Sequence, residues 1–99
     1  MEKILFKILI NDDRGNTDET KFRVEERIGY KINDDYAVHN EANKWFVTNL
    51  ETGTSVSTGK TMKQAMDEYQ KLADNGTLER IKKRDLYKKF KKALKKLSK

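Results

Sequence analysis

The sequence predicts an α+β fold, an antiparallel four- to five-stranded meander followed by two helices, the last one basic and amphipathic. Three observations predict it. Apolar residues alternate with period two through the first half of the chain, helical spacing takes over after residue 61, and lysine saturates the last twenty residues. A chain of 99 residues has material for one core, and without cysteine or proline it holds no disulfide, thiolate metal site or proline-rich linker. Residues 1–76 therefore read as a sheet-plus-helix body and residues 77–99 as a basic C-terminal helix of the same domain.

The elements follow in order. In "EKILFKILI", Ile4, Phe6, Ile8 and Ile10 share one face and Leu5, Lys7 and Leu9 the other. Apolar residues on both faces predict a central strand. The run "ILFKILI" is too short to span a bilayer, and no small-residue cleavage site follows it. "NDDRGNTDET" at 11–20 has turn composition. The stretch "KFRVEERIGYKI" predicts a long half-buried strand, with Phe22, Val24, Ile28, Tyr30 and Ile32 inward and Gly29 marking a bulge. "NDD" at 33–35 turns the chain, "YAVHN" and "KWFVTNL" form strands about the tight "EAN" connection, and Gly53 supplies the positive φ of the next hairpin before "SVST".

Helix begins at Thr61, an N-cap that forms a capping box with Gln64. Met62, Ala65, Met66, Tyr69, Leu72 and Ala73 fall on one face, and "DNG" at 74–76 stops the helix with Gly76 at C′. Thr77 caps a second helix, expected over roughly 78–97. Leu78, Ile81, Leu86, Phe90, Ala93, Leu94 and Leu97 lie along one side of it, with Tyr87 at the edge.

Charge is unevenly placed. Residues 1–79 carry 11 Lys and Arg against 15 Asp and Glu, a net of −4; residues 80–99 carry 11 against Asp85 alone, a net of +10. A helix that only needs solubility mixes signs to gain i,i+4 pairs. This one does not, so its charge points to an anionic partner.

Chemistry-bearing motifs are few. "TGTSVSTGKT" ends like a phosphate-binding loop, yet Gly53 and Gly59 enclose five residues where that loop needs four. The context is hairpin, edge strand and helix start instead of a βαβ unit, so nucleotide hydrolysis is not expected. Lys60 and Thr61 remain suited to a backbone phosphate at the helix N-terminus. His39 is the only histidine and reads as a structural residue; Ser55 and Ser57 lack a base to activate them. Asp12-Asp13 and Asp34-Asp35 read as turn residues, since Arg14 stands where a calcium loop needs an acid or amide. Tyr30, Tyr36, Trp45 and Phe46 fall on neighbouring strands, where core packing competes with base stacking.

Residues 44–74, "KWFVTNLETGTSVSTGKTMKQAMDEYQKLAD", resemble the AP2-like, arm-type DNA-binding domain of tyrosine integrases. Trp45, Thr52-Gly53, Lys60-Thr61 and Ala65 match its motif in order. The resemblance implies DNA binding with the sheet in the major groove. This chain departs from the family in its two preceding strands and in the absence of basic residues from the strand after Gly53. The same ββα opening is similar to small HicB-like antitoxin domains.

The expected function is non-enzymatic nucleic-acid binding, to DNA or RNA, without metal or cofactor. Its residues are Lys60, Thr61, Arg80, Lys82, Lys83, Arg84, Lys88, Lys89, Lys91, Lys92, Lys95 and Lys96, with Lys99 extending the run. Lysine makes point contacts to phosphate, so weak sequence preference follows. The rival reading is a small phage- or plasmid-type accessory or inhibitor protein that binds a host protein, such as a defence nuclease, through its charged surfaces, with the basic helix on an acidic groove or the acidic sheet face in a nucleic-acid channel. A membrane is not the expected partner, because the helix lacks Trp; a homodimer through the C-terminal helix is the remaining option. The expected location is cytoplasmic.

Overall fold

A computed structural model describes residues 1–11 and 22–98. The Asp12-Asp13 pair, Arg14 and Lys99 lie outside the described residues. Strands β1 (Lys3–Asn11), β2 (Phe22–Lys31), β3 (Tyr36–Glu41), β4 (Lys44–Asn49) and β5 (Ser55–Gly59) pair antiparallel in chain order, which makes β1 and β5 the edges. Helices α1 (Met62–Asp74), α2 (Thr77–Lys82) and α3 (Asp85–Leu97) follow.

Alternation along β3 and β4 separates two cores. Tyr36, Val38 and Val47 pack against Ala65 and Tyr69 of α1 and Leu78 of α2, with Trp45, Met62, Met66 and Leu72 around them. Ala37, on the opposite face of β3, packs with Phe6 and Ile8. Helix α1 starts as expected. Thr61 is extended at φ −125° and accepts from the Gln64 amide, while Gln64 Oε1 accepts from the Lys60 amide at 2.9 Å. Gly76 adopts φ 80° after the helix and opens α2, so Thr77 is the first residue of α2 and its cap is Gly76.

Three expectations are corrected. First, β1 is an edge strand and Leu5 is 64 % exposed. Its two apolar rows arise because one covers Ala37 while the other lies partly under α3, not because strands flank it on both sides. Its outer edge is closed locally where the Leu9 amide donates to Gly53 O at 2.9 Å.

Second, β2 has no bulge at Gly29. Its register with β1 runs unbroken from Lys3↔Tyr30 to Asn11↔Phe22. Glycine is needed there for close approach, since a Cβ would lie 2.4 Å from Val38 O. The row expected inward is buried only at Phe22; Ile28 is 61 % exposed and Tyr30 is also exposed. The reason is that α3 reaches only the Phe22 end of the hairpin.

Third, the basic segment is two helices, α2 and α3, not one. Arg84 is extended at φ −77° and ψ 147°. Leu78 belongs to the α1 core, whereas Phe90 must reach Phe22 across the sheet. One straight helix does not serve both. Asp85, the first residue of α3, complements the helix dipole there.

Candidate nucleic-acid interface

The basic helix is held from beneath by residues of three strands and a turn. Phe90 meets Phe22 edge to face, with ring centroids 5.6 Å apart. Gly53, at φ 72°, leaves room for Leu94; a Cβ there would stand 3.1 Å from Leu94 Cδ1 and 2.8 Å from the Leu9 amide nitrogen. Thus the hairpin glycine serves the turn, β1 and α3 together. Lys7 Nζ donates to Ser98 O at 3.2 Å at the helix C-terminus, where the dipole favours a cation.

A polar latch completes the dock. Tyr87 donates its hydroxyl proton to Glu51 Oε1 at 2.6 Å and accepts from Asn49 Nδ2 at 3.2 Å. Asn49 Oδ1 in turn accepts from the amides of Glu51 and Thr52, fixing the turn that carries the carboxylate. Lys91 Nζ lies 3.4 Å from Glu51 Oε2. Burial, then the hydrogen bond to Glu51, pushes the Tyr87 hydroxyl up to about 12. The same hydrogen bond leads the causes that hold the Glu51 carboxyl below its ordinary range. Sequence reasoning placed Tyr87 at the stripe's edge and gave Glu51 and Asn49 no role. Tyr87 is buried, whereas Leu86 and Leu97 are exposed.

Docking by this face turns the cations outward. Lys88, Lys92 and Lys95 recur at i, i+4 and i+7, opposite Phe90 and Leu94. These three, with Lys83 and Arg84, are exposed and have no ion-pair partner among the described residues. Lys89 and Lys96 have partners within the chain. Lys82 approaches Asp35 at 3.8 Å and Glu79 at 3.9 Å, and Arg80 folds back on Asn75 O and Thr77 Oγ1. The segment therefore divides into cations spent on the body and a ridge that is not.

Lys60 and Thr61 lie at the far end of β5 from the Gly53 turn that α3 touches. The "GKT" letters have local roles. A Cβ on Gly59 would stand 2.6 Å from the Ala65 amide nitrogen, the Lys60 amide is held by Gln64, and Thr61 is the cap. Of the four aromatics, Tyr36 packs on Tyr69 and Trp45 on the same core, while Phe46 stacks on His39 across the sheet. Only Tyr30 among them is exposed.

His39 is buried, at 4 % exposure. It lies between Phe6 and Phe46, with centroids at 5.4 and 5.6 Å. Nε2 faces Glu41 Oε2 at 3.4 Å, and Arg27 holds Glu41 Oε1 from Nε at 2.9 Å. Nδ1 has no partner. Burial pushes the imidazole below its ordinary pKa, against the pull of Glu41. Ser57 is structural, donating to Ala65 O at 2.9 Å, and Asp34 pairs with Lys31 at 3.1 Å. No group of three His, Asp or Glu side chains able to hold a metal occurs among the described residues. Nor is any helix among them long and apolar enough to cross a membrane.

Comparison of the chain with family models, with curated proteins and with solved structures gave no match.

Proposed function

We propose that the protein binds nucleic acid without catalysing a reaction, and that the Lys88–Lys92–Lys95 ridge of α3 contacts the phosphate backbone. The observation that supports this is the way α3 docks. Phe90 and Leu94 of its apolar stripe are spent on Phe22 and Gly53, with Leu86 and Leu97 left exposed, and the face opposite Phe90 and Leu94 offers a partner charge. From Lys88 to Lys95 the ridge advances seven residue steps, about 10 Å of helix. That length follows a few consecutive phosphates, and Lys83 and Arg84 continue it past the helix start. The face of β3 opposite α1 is occupied by Phe6 and Ile8, which favours contact through the helix over insertion of the sheet.

Fluorescence anisotropy with labelled single- and double-stranded DNA and RNA tests the proposal. Removing residues after 79 would strip Tyr87, Ala93 and Leu94 from the core, so charge reversal on the exposed ridge is the cleaner variant. On duplex DNA, K88E/K92E/K95E should weaken binding and flatten the dependence of log K on log salt by about 2.7, three phosphates at about 0.9 each. Wild-type protein that binds none of the four probes at low salt, or a triple variant that binds as well as wild type, overturns it.

A further inference from the structure

Beyond nucleic-acid binding, we propose that the free edge of β5 accepts an extended peptide strand with alternating basic and large apolar residues. Strand β5 ends the sheet, and its sequence "SVSTG" carries neither charge nor proline. Sheet edges are ordinarily blunted by such residues, because their outward N–H and C=O groups template further pairing. The other edge, β1, carries Lys3 and Lys7 and is bonded to Gly53 through Leu9.

What distinguishes β5 is a groove along one face and a pocket on the other face at its Ser55 end. On the α1 side, a groove of about 690 Å³ runs along the whole strand from Ser55 to Gly59. Its helical wall is Gln64, Asp67, Glu68 and Lys71, one face at i, i+3, i+4 and i+7. On the opposite face, a pocket of about 330 Å³ lies at the Ser55 end of the strand, lined by Ile8, Leu9, His39, Glu41, Phe46 and Ser55 among others. Side chains of an added strand alternate between the two faces of a sheet. Backbone pairing gives such a strand affinity, and pockets for alternate side chains give it specificity.

Each cavity selects a side chain. Glu68 has no ion-pair partner among the described residues, and Asp67 is held only by exposed Lys63 at 2.6 Å. A basic side chain in the middle of the groove meets both carboxylates; Lys71 stands at the end of the row. Ile8, Leu9 and Phe46 make the other pocket apolar, and His39, whose Nδ1 is without a partner, borders it. A second copy of β5 fits less well. A two-fold axis near the middle of the strand sets acidic groove walls against each other.

The test is titration of the ¹⁵N-labelled full chain with a capped heptapeptide of alternating lysine and valine, and with a glutamate–valine control. Amide shifts are expected in β5, along Gln64–Lys71 and at His39, with slowed hydrogen exchange in β5. The D67K/E68K variant should weaken the lysine peptide about ten-fold, two ion pairs at roughly 0.7 kcal/mol each. Four outcomes overturn the proposal: no shifts at millimolar peptide, shifts confined to Leu5 and Ile28 or to α3, equal binding of the control, or indifference to D67K/E68K. Concentration-dependent dimerisation through β5 without peptide would replace the peptide by a second copy. The phosphate ridge is on another element, so failure here leaves the nucleic-acid result untouched.

Discussion

The two sides of the β3–β4 pair are held by different physics. On the α1 side, Tyr36, Val38, Val47, Ala65, Tyr69 and Leu78 form one contiguous apolar cluster. On the other side the apolar cluster is smaller and a buried histidine takes part, while α3 is attached by the Phe90–Phe22 pair, Leu94 over Gly53, buried Ala93, the Lys7–Ser98 bond and the Tyr87–Glu51–Asn49 latch. Apolar burial scales with area and is indifferent to pH, whereas a latch of ionisable groups is not. The difference teaches that the helix bearing the cationic ridge is the more detachable part of the molecule.

The largest effect should come from breaking the stronger side. Tyr69→Ala removes a buried ring that packs on Tyr36 at 5.0 Å and accepts from Asn33 Nδ2. A loss of about 3–5 kcal/mol is expected, read as a lower urea midpoint for the whole domain. An unchanged midpoint would mean that the α1 cluster does not carry the fold.

Breaking the weaker side should be milder and local. Tyr87→Phe leaves Glu51 and Asn49 without their shared partner, costing about 1–2 kcal/mol. Hydrogen exchange should quicken in α3 while α1 stays protected; equal quickening in both helices would show that the two sides open as one. Alkali should do the same to wild type. The Tyr87 pKa is raised in the folded state from 10.0 to about 12, so its contribution is complete below pH 10 and is lost as pH rises towards 12. Tyrosinate absorbance should rise together with exchange in α3.

Acid probes the histidine. Burial lowers the His39 pKa in the folded state below its free value of 6.5, so the unfolded chain takes up the proton first. Stability should fall as pH drops below 6.5, with a slope of at most about 1.4 kcal/mol per pH unit for one proton. Glu41 faces the ring with Arg27 behind it; burial works to raise the Glu41 carboxyl, and the hydrogen bonds from Arg27 and His39 outweigh it, holding it low. His39→Phe should flatten the profile between pH 6.5 and 5. An identical profile in the variant would assign the acid sensitivity elsewhere.

The smallest effect is a gain. Ala42, at φ 52° in the β3–β4 turn, sits in the left-handed region beside Asn43 at 65°. Ala42→Gly relieves that strain and should raise stability by about 0.5–1 kcal/mol in the same urea assay. Destabilisation instead would show that glycine's backbone entropy outweighs the strain.

Much of this architecture rests on interactions within about four residues, and those were legible from the chain alone. The Glu41–Lys44 and Gly53 turns, the Thr61–Gln64 box, the Gly76 stop and the α1 face all follow from local spacing and side-chain chemistry. The break before α3 had a local sign as well, since Asp85 is the only acid among residues 80–99. The rest depended on what lies far along the chain. Leu5 and Ile28 read as core because an apolar residue does not announce whether an element will cover it; α3 stops at Phe22. His39 became buried because Phe6, thirty-three residues earlier, folds over it. Tyr87 found Glu51 thirty-six residues away, a pairing that neither periodicity nor composition encodes. The total of positive charge was written in the sequence. Which lysines were spent on body carboxylates and which formed an outward ridge followed from the docking angle of α3, and that angle is set by packing between distant segments.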